Sequence, residues 1–82
     1  MSYKVYILYS PVKDKYYIGQ TQDLNNRLAE HNSGESKSTK SGIPWIAVFQ
    51  KVFPTRSEAV SFEKQLKKMK NRKYLESIIK PG

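Results

Sequence analysis

The 82-residue chain has apolar surface for one modest core and reads as a single domain over residues 1–82. It contains no cysteine, which excludes a disulfide framework, a thiol nucleophile and any thiolate-bound metal. Fifteen Lys and Arg against seven Asp and Glu leave a formal charge of +8, a balance that draws a protein to polyanions.

The opening MSYKVYILYSP has too short an apolar run for a signal peptide. The longest apolar runs, 5–9 and 45–49, fall far below the ~20 residues needed to span a bilayer. A cytoplasmic protein with no membrane partner is expected.

Residues 4–10 (KVYILYS) and 15–20 (KYYIGQ) are rich in Tyr, Val and Ile, and the intervening PVKDK suits a turn, so a β-hairpin is predicted. Val5, Ile7 and Tyr9 share one face of the first strand and Tyr6 and Leu8 the other. Both faces are largely apolar, so this strand should be covered on both sides. Gly19 reads as the turn that leads from the second strand toward a short helix, with Asp23 as its N-cap and Gly34 as its terminator. Leu24 and Leu28, one turn apart, should pack on the sheet, while Arg27 and His31 share a neighbouring edge.

Residues 32–44 carry four serines, two glycines and two lysines without apolar periodicity, and read as a loop of the length that is often functional. Residues 45–52 (WIAVFQKV) predict a third strand, and TRSE at 55–58 a capping box. The helix expected over 56–70 aligns Ala59, Phe62, Leu66 and Met69 as a core stripe. A short last helix over 71–79 should turn Tyr74, Leu75, Ile78 and Ile79 inward. The order is β-β-α-β-α-α, a small α+β domain.

Positive charge is concentrated late. Residues 64–82 hold seven basic side chains and one acid, a net +6. Lys64, Lys67, Lys68, Lys70, Arg72 and Lys73, with Lys37 and Lys40 in the loop, are the candidates for phosphate contacts. A solvated helix face is the competing explanation of that cluster. Carboxylates that could serve chemistry are few: Asp14 sits in a turn, Asp23 and Glu58 are assigned to caps, and Glu30, Glu35 and Glu76 have no evident partner in the sequence. Glu63 borders the buried stripe and could point toward the sheet. Taken singly, each of these residues, like the strand tyrosines, has a structural explanation. Composition and spacing stop at a basic α+β domain suited to nucleic acid.

The order of the motifs adds more. KVY at 4–6, ten residues of hairpin, YIG at 17–19, DLNNRLAEH at 23–31 and the later Glu63 together resemble the GIY-YIG nuclease superfamily across most of the chain, in particular its small stand-alone bacterial members. The resemblance implies a three-stranded antiparallel sheet flanked by helices and a metal-dependent endonuclease that hydrolyses DNA phosphodiester bonds in repair or processing. It implies that Tyr6 helps activate the attacking water as general base, that Tyr17 orients the site and that Arg27 neutralises the transition-state phosphate. His31 would assist proton movement or position the water or tyrosine, and Glu63 would hold one divalent metal, Mg²⁺ or Mn²⁺. A tyrosine with a reference pKa near ~10 becomes a base at neutral pH only if nearby cations favour the phenolate, a role open to Arg27, the metal and the net positive field.

The sequence departs from the family pattern at Lys4 and Val5 of the first triplet and at Gln20, where several members have lysine. Asn71 is the one late asparagine available as a counterpart of the family's metal-site asparagine. The chain has no room for a separate DNA-recognition domain, so specificity would come from DNA structure or from a protein partner. The alternative reading is a non-catalytic nucleic-acid-binding module of the same fold. A third is an interaction subunit whose lysine-rich helix docks on an acidic protein.

Overall fold

The computed structural model describes residues 2–69 and 71–79. Three strands, β1 (Tyr3–Ser10), β2 (Lys15–Thr21) and β3 (Ile46–Phe53), and three helices, α1 (Leu24–Ser33), α2 (Arg56–Met69) and α3 (Arg72–Ile79), follow the order β-β-α-β-α-α. The sheet runs β2-β1-β3 with both pairs antiparallel. No described helix is long and apolar enough to cross a membrane.

The central place of β1 explains why its sequence is apolar on both faces. Val5 and Ile7 join Ala59, Leu66 and Leu75 on the side covered by α2 and α3, while Tyr6 and Leu8 join Leu24 and Trp45 on the side of α1. Val5, Ile7, Leu8, Ala59 and Leu66 are fully buried. Truncating Leu66 to alanine in such a position costs about 2–5 kcal/mol. Register against β3 shifts once: Ile7 pairs with Phe49 but Leu8 with Ala47, leaving Val48 as a bulge.

Both ends of α1 are fixed by the expected residues. Asp23 accepts from the Asn26 backbone N–H at 3.1 Å, and Gly34 takes φ 85° with its N–H donating to the His31 carbonyl. Between these caps Leu24 and His31 are buried and Leu28 packs against the cluster of Tyr6, Leu8 and Trp45. At α2 half of the capping box is present: the Glu58 N–H donates to Thr55 Oγ1 at 3.3 Å.

Three expectations change. Trp45 precedes β3 and is buried against Tyr6 and Leu8 without belonging to the strand. Met69 is about half exposed, and the core stripe of α2 ends at Leu66. Gly19 is not a turn. It lies inside β2, directly opposite Tyr6, and a Cβ there would come within 2.5 Å of the Tyr6 hydroxyl. Glycine is needed at 19 because the tyrosine lies over its backbone.

Candidate nuclease site

Tyr6 and Tyr17 sit diagonally across the β1–β2 ladder, since Tyr6 pairs with Gly19 and Leu8 with Tyr17. Their rings stack at 6.5 Å between centroids. His31 rises from α1 beneath both. Its ring meets the edge of Tyr17 at 5.0 Å, and its Nε2 lies 3.5 Å from Tyr6 Oη. Helical spacing puts Arg27 one turn before His31, but the two differ sharply in exposure. His31 is buried, whereas the Arg27 side chain is 46% exposed and pairs with Glu30 at 3.2 Å.

Glu63 projects from α2 at the i+4 position from Ala59 and three residues before Leu66, both fully buried. Its side chain is consequently only 15% exposed, and Lys67 holds it in an ion pair at 2.7 Å. Glu63 and Arg27 are both close enough for their charges to act on the Tyr6 phenol. Of the five residues implied by the resemblance, Tyr6, Tyr17 and His31 are in mutual contact, whereas Arg27 and Glu63 pair with Glu30 and Lys67 and act on the Tyr6 phenol only as weaker charges at longer range.

Burial, aided by the adjacent Tyr17, pushes the Tyr6 hydroxyl up to about 12; Arg27 draws it back and Glu63 and Glu30 push it further. In the free protein desolvation of the phenolate outweighs the one nearby guanidinium, so Arg27 alone does not make Tyr6 a base at neutral pH. His31 shifts the other way. Burial first, and then Arg27, lower its pKa, so the ring is neutral at pH 7.

The loop before β3 is more ordered than its polar composition suggested. Thr39, fully enclosed, lies with its Oγ1 2.8 Å from His31 Nδ1, and its carbonyl accepts from Trp45 Nε1 at 2.7 Å. Asn32 grips the Trp45 backbone from both sides, accepting from its N–H at 2.6 Å and donating to its carbonyl at 3.1 Å. Thr39 and Trp45 are site residues the sequence reading passed over. A threonine among serines carries no local mark of burial, and Trp45 resembled the first residue of a strand.

Residues 2–75 match the family described as GIY-YIG catalytic domain. The chain belongs to the GIY-YIG family. A UPF0213 protein of Streptococcus pneumoniae is 39% identical over 72 residues, covering 85% of this chain and 73% of its own length. Another, of Staphylococcus saprophyticus, is 36% identical over 77 residues, covering 92% and 94%. The solution NMR structure of a UPF0213 protein from Bacillus halodurans superposes with a TM-score of 0.60 at 31% identity, covering 96% of this chain and 83% of that one. GIY-YIG proteins are a nuclease family whose members generally bind nucleic acid and use a divalent metal.

Glu63 offers one hard carboxylate for such a metal, but the Lys67 ammonium pairs with it at 2.7 Å, so a divalent ion would have to displace that partner. Among the described residues no three His, Asp or Glu side chains gather into a metal-binding group. A single carboxylate suits Mg²⁺ or Mn²⁺, which keep waters and take phosphate oxygens from the substrate.

The basic residues divide by their partners. Lys37 and Lys40 are exposed on the turn around Thr39, Lys64 and Lys68 are exposed on α2, and Lys73 is exposed on α3. Lys67 is committed to Glu63. Arg72 is committed further: it forks onto Asp14 at 2.6 and 3.0 Å, reaches Glu76 at 3.3 Å and stacks over Tyr16. Its partners make it a clamp between α3 and the hairpin turn, a role beside the phosphate contact expected of it. Lys70 lies outside the described residues. Arg56, not singled out from the sequence, lines an open cleft of about 330 Å³ together with Arg27, Tyr3, Gln20, Thr21 and Gln22.

Proposed function

We propose that the protein is a metal-dependent endonuclease that hydrolyses phosphodiester bonds in DNA, one strand per active site. The convergence of Tyr6, Tyr17 and His31 in contact, with Arg27 and Glu63 in electrostatic reach of the same phenol, carries this reading. As isolated side chains each would be structural. Together they supply a proton acceptor, a cation for phosphate and a carboxylate for a metal.

In this reading Arg27 and Arg56 flank the cleft that receives the scissile strand, because no carboxylate is among the residues that line it. Arg27 exchanges Glu30 for a phosphate oxygen as the substrate arrives. The neutral imidazole of His31 faces the Tyr6 hydroxyl, and the Tyr6 oxygen in turn acts on the attacking water. Burial keeps the phenol protonated in the free protein, so this role requires cationic charge to enter the site and favour the phenolate. Tyr17 packs against both rings and fixes their spacing. Glu63 would hold the divalent ion, which when bound stabilises the charge developing on the phosphate oxygens. Lys37, Lys40, Lys64, Lys68 and Lys73 supply a diffuse field for the backbone. DNA repair or processing is the setting proposed, with specificity coming from DNA structure or from a partner.

The ion pairs Arg27–Glu30 and Glu63–Lys67 favour one other reading, a binding module whose catalytic charges are neutralised internally. Nicking of supercoiled plasmid and cleavage of branched DNA, with Mg²⁺ and with Mn²⁺, separate the two. Metal-dependent cuts lost in Glu63→Ala and Arg27→Ala support the nuclease. DNA binding without cleavage, alike in wild type and both variants, transfers the protein to the binding-module class.

A further inference from the structure

Two positions matter for a histidine that handles a proton: where its ring lies, and which nitrogen carries hydrogen. α1 determines the first. Nothing on α1 determines the second, because the described contacts at the two ring nitrogens of His31 come from other elements. Nε2 faces Tyr6 Oη on β1 at 3.5 Å, and Nδ1 faces Thr39 Oγ1 on the loop at 2.8 Å.

The threonine hydroxyl has one proton to give and can both donate and accept. Thr39 Oγ1 donates to the Ser36 carbonyl, 3.4 Å away, which is an obligate acceptor. With its proton so directed, the oxygen is left to accept, and the donor at 2.8 Å is the Nδ1–H of His31. The neutral ring then carries no hydrogen on Nε2, and its lone pair faces the Tyr6 hydroxyl. We infer that Thr39 is a positioning residue that holds His31 in the Nδ1–H tautomer, so that the Nε2 lone pair is presented to the Tyr6 hydroxyl as a hydrogen-bond acceptor.

Three further observations agree with this role. Thr39 is only 2% exposed, too enclosed for water to replace its hydroxyl freely. Its backbone is fixed independently of the side chain, through its carbonyl to Trp45 Nε1 at 2.7 Å and its N–H to the Ser36 carbonyl at 3.2 Å. The side chain is thus placed by the loop and is free to be read by His31. The turn also exposes Lys37 and Lys40 on either side of Thr39, so the segment that directs the histidine is one that would meet DNA phosphate. The tautomer itself stands on the hydrogen-bond geometry, and its catalytic use rests on the nuclease reading.

Nitrogen-15 NMR of the His31 side chain at neutral pH tests the inference without any substrate. Wild type is expected to show a protonated Nδ1 and an unprotonated Nε2. Thr39→Val keeps the shape and both backbone hydrogen bonds but removes the hydroxyl, and it should shift His31 toward the Nε2–H tautomer. Thr39→Ser should retain the wild-type pattern. Circular dichroism and Trp45 fluorescence confirm that each variant is folded, and a Thr39→Val chain that does not fold leaves the wild-type and Thr39→Ser spectra to decide. An Nε2–H ring in wild type, or an unchanged Nδ1–H ring in folded Thr39→Val, overturns the inference. On any DNA that wild type cuts, Thr39→Val should cut about 10²-fold more slowly and Thr39→Ser should recover most of that loss. If wild type cuts nothing, the nuclease reading fails while the NMR result still decides the tautomer.

Discussion

Replacing Gly19 by alanine tests whether the glycine of the second triplet serves Tyr6 and not a turn. A methyl group at residue 19 would lie 2.5 Å from Tyr6 Oη, 2.7 Å from Cζ and 3.2 Å from Cε2. Relaxed carbon contacts lie at about 3.5–4.0 Å, so the ring must retreat by about an ångström. It has little space to do so, being 2% exposed and bounded by Tyr17 and His31. Overpacking of this kind costs about 1–3 kcal/mol, and exchanging glycine for alanine in a strand returns about 0.5–1 kcal/mol of that. The difference, about 0–2.5 kcal/mol with a midpoint near 1 kcal/mol, corresponds at that midpoint to a fall in Tm of roughly 4–8 °C for a domain of this size. Urea and thermal melts followed by far-UV circular dichroism measure it. On a Tyr6→Phe background the 2.5 Å contact is gone but Cζ remains at 2.7 Å, so the penalty should shrink without vanishing. A Gly19→Ala protein more stable than wild type, or an equal penalty on both backgrounds, refutes the explanation.

Other outcomes follow from the charged groups. Asp14 is held down to about 2, first by its hydrogen bonds from Arg72 and then by the Tyr9 hydroxyl. A folded pKa below the unfolded value of about 3.9 gives stability that is complete above about pH 4 and lost as pH falls through 2. Acid titration of stability should therefore show a smaller loss over that window in Asp14→Asn than in wild type, and added salt should narrow the gap. Glu30→Gln releases Arg27 from its 3.2 Å pair and should tighten DNA binding by up to about five-fold in an electrophoretic or anisotropy assay, the value of an exposed ion pair. Salt titrations of DNA binding should separate the two arginines outside α1: Arg56→Ala reduces the log–log slope by about one, whereas Arg72→Ala leaves the slope alone and lowers stability instead.

Local patterns carried most of the fold. The strand residues around Tyr6 and Tyr17, the Asp23 and Gly34 caps and the Ala59–Leu66 stripe each act over one turn or one hairpin, and each was legible for that reason. The two-sided burial of β1 was equally visible, since a strand apolar on both faces needs neighbours on both. The candidate site was legible only as an ordered set of residue types resembling a family, because no local rule ties Glu63 to Tyr6. Glu76 and Glu30 had no evident partner in the sequence, and in space they meet Arg72 and Arg27.

By itself the sequence determined which segments are strands and helices, where α1 begins and ends, and that the protein carries a strong positive charge, since these depend on side chains a few positions apart or on none at all. Only the tertiary structure decided which charges remain free, why residue 19 must be glycine, and what faces the two nitrogens of His31. Pairing and burial arise between segments tens of residues apart: Arg72 spans 58 positions to Asp14, and Tyr6 spans 25 to His31. Desolvation at that meeting point also raises the Tyr6 pKa, because the environment of a buried phenol is set by packing and not by its neighbours in sequence.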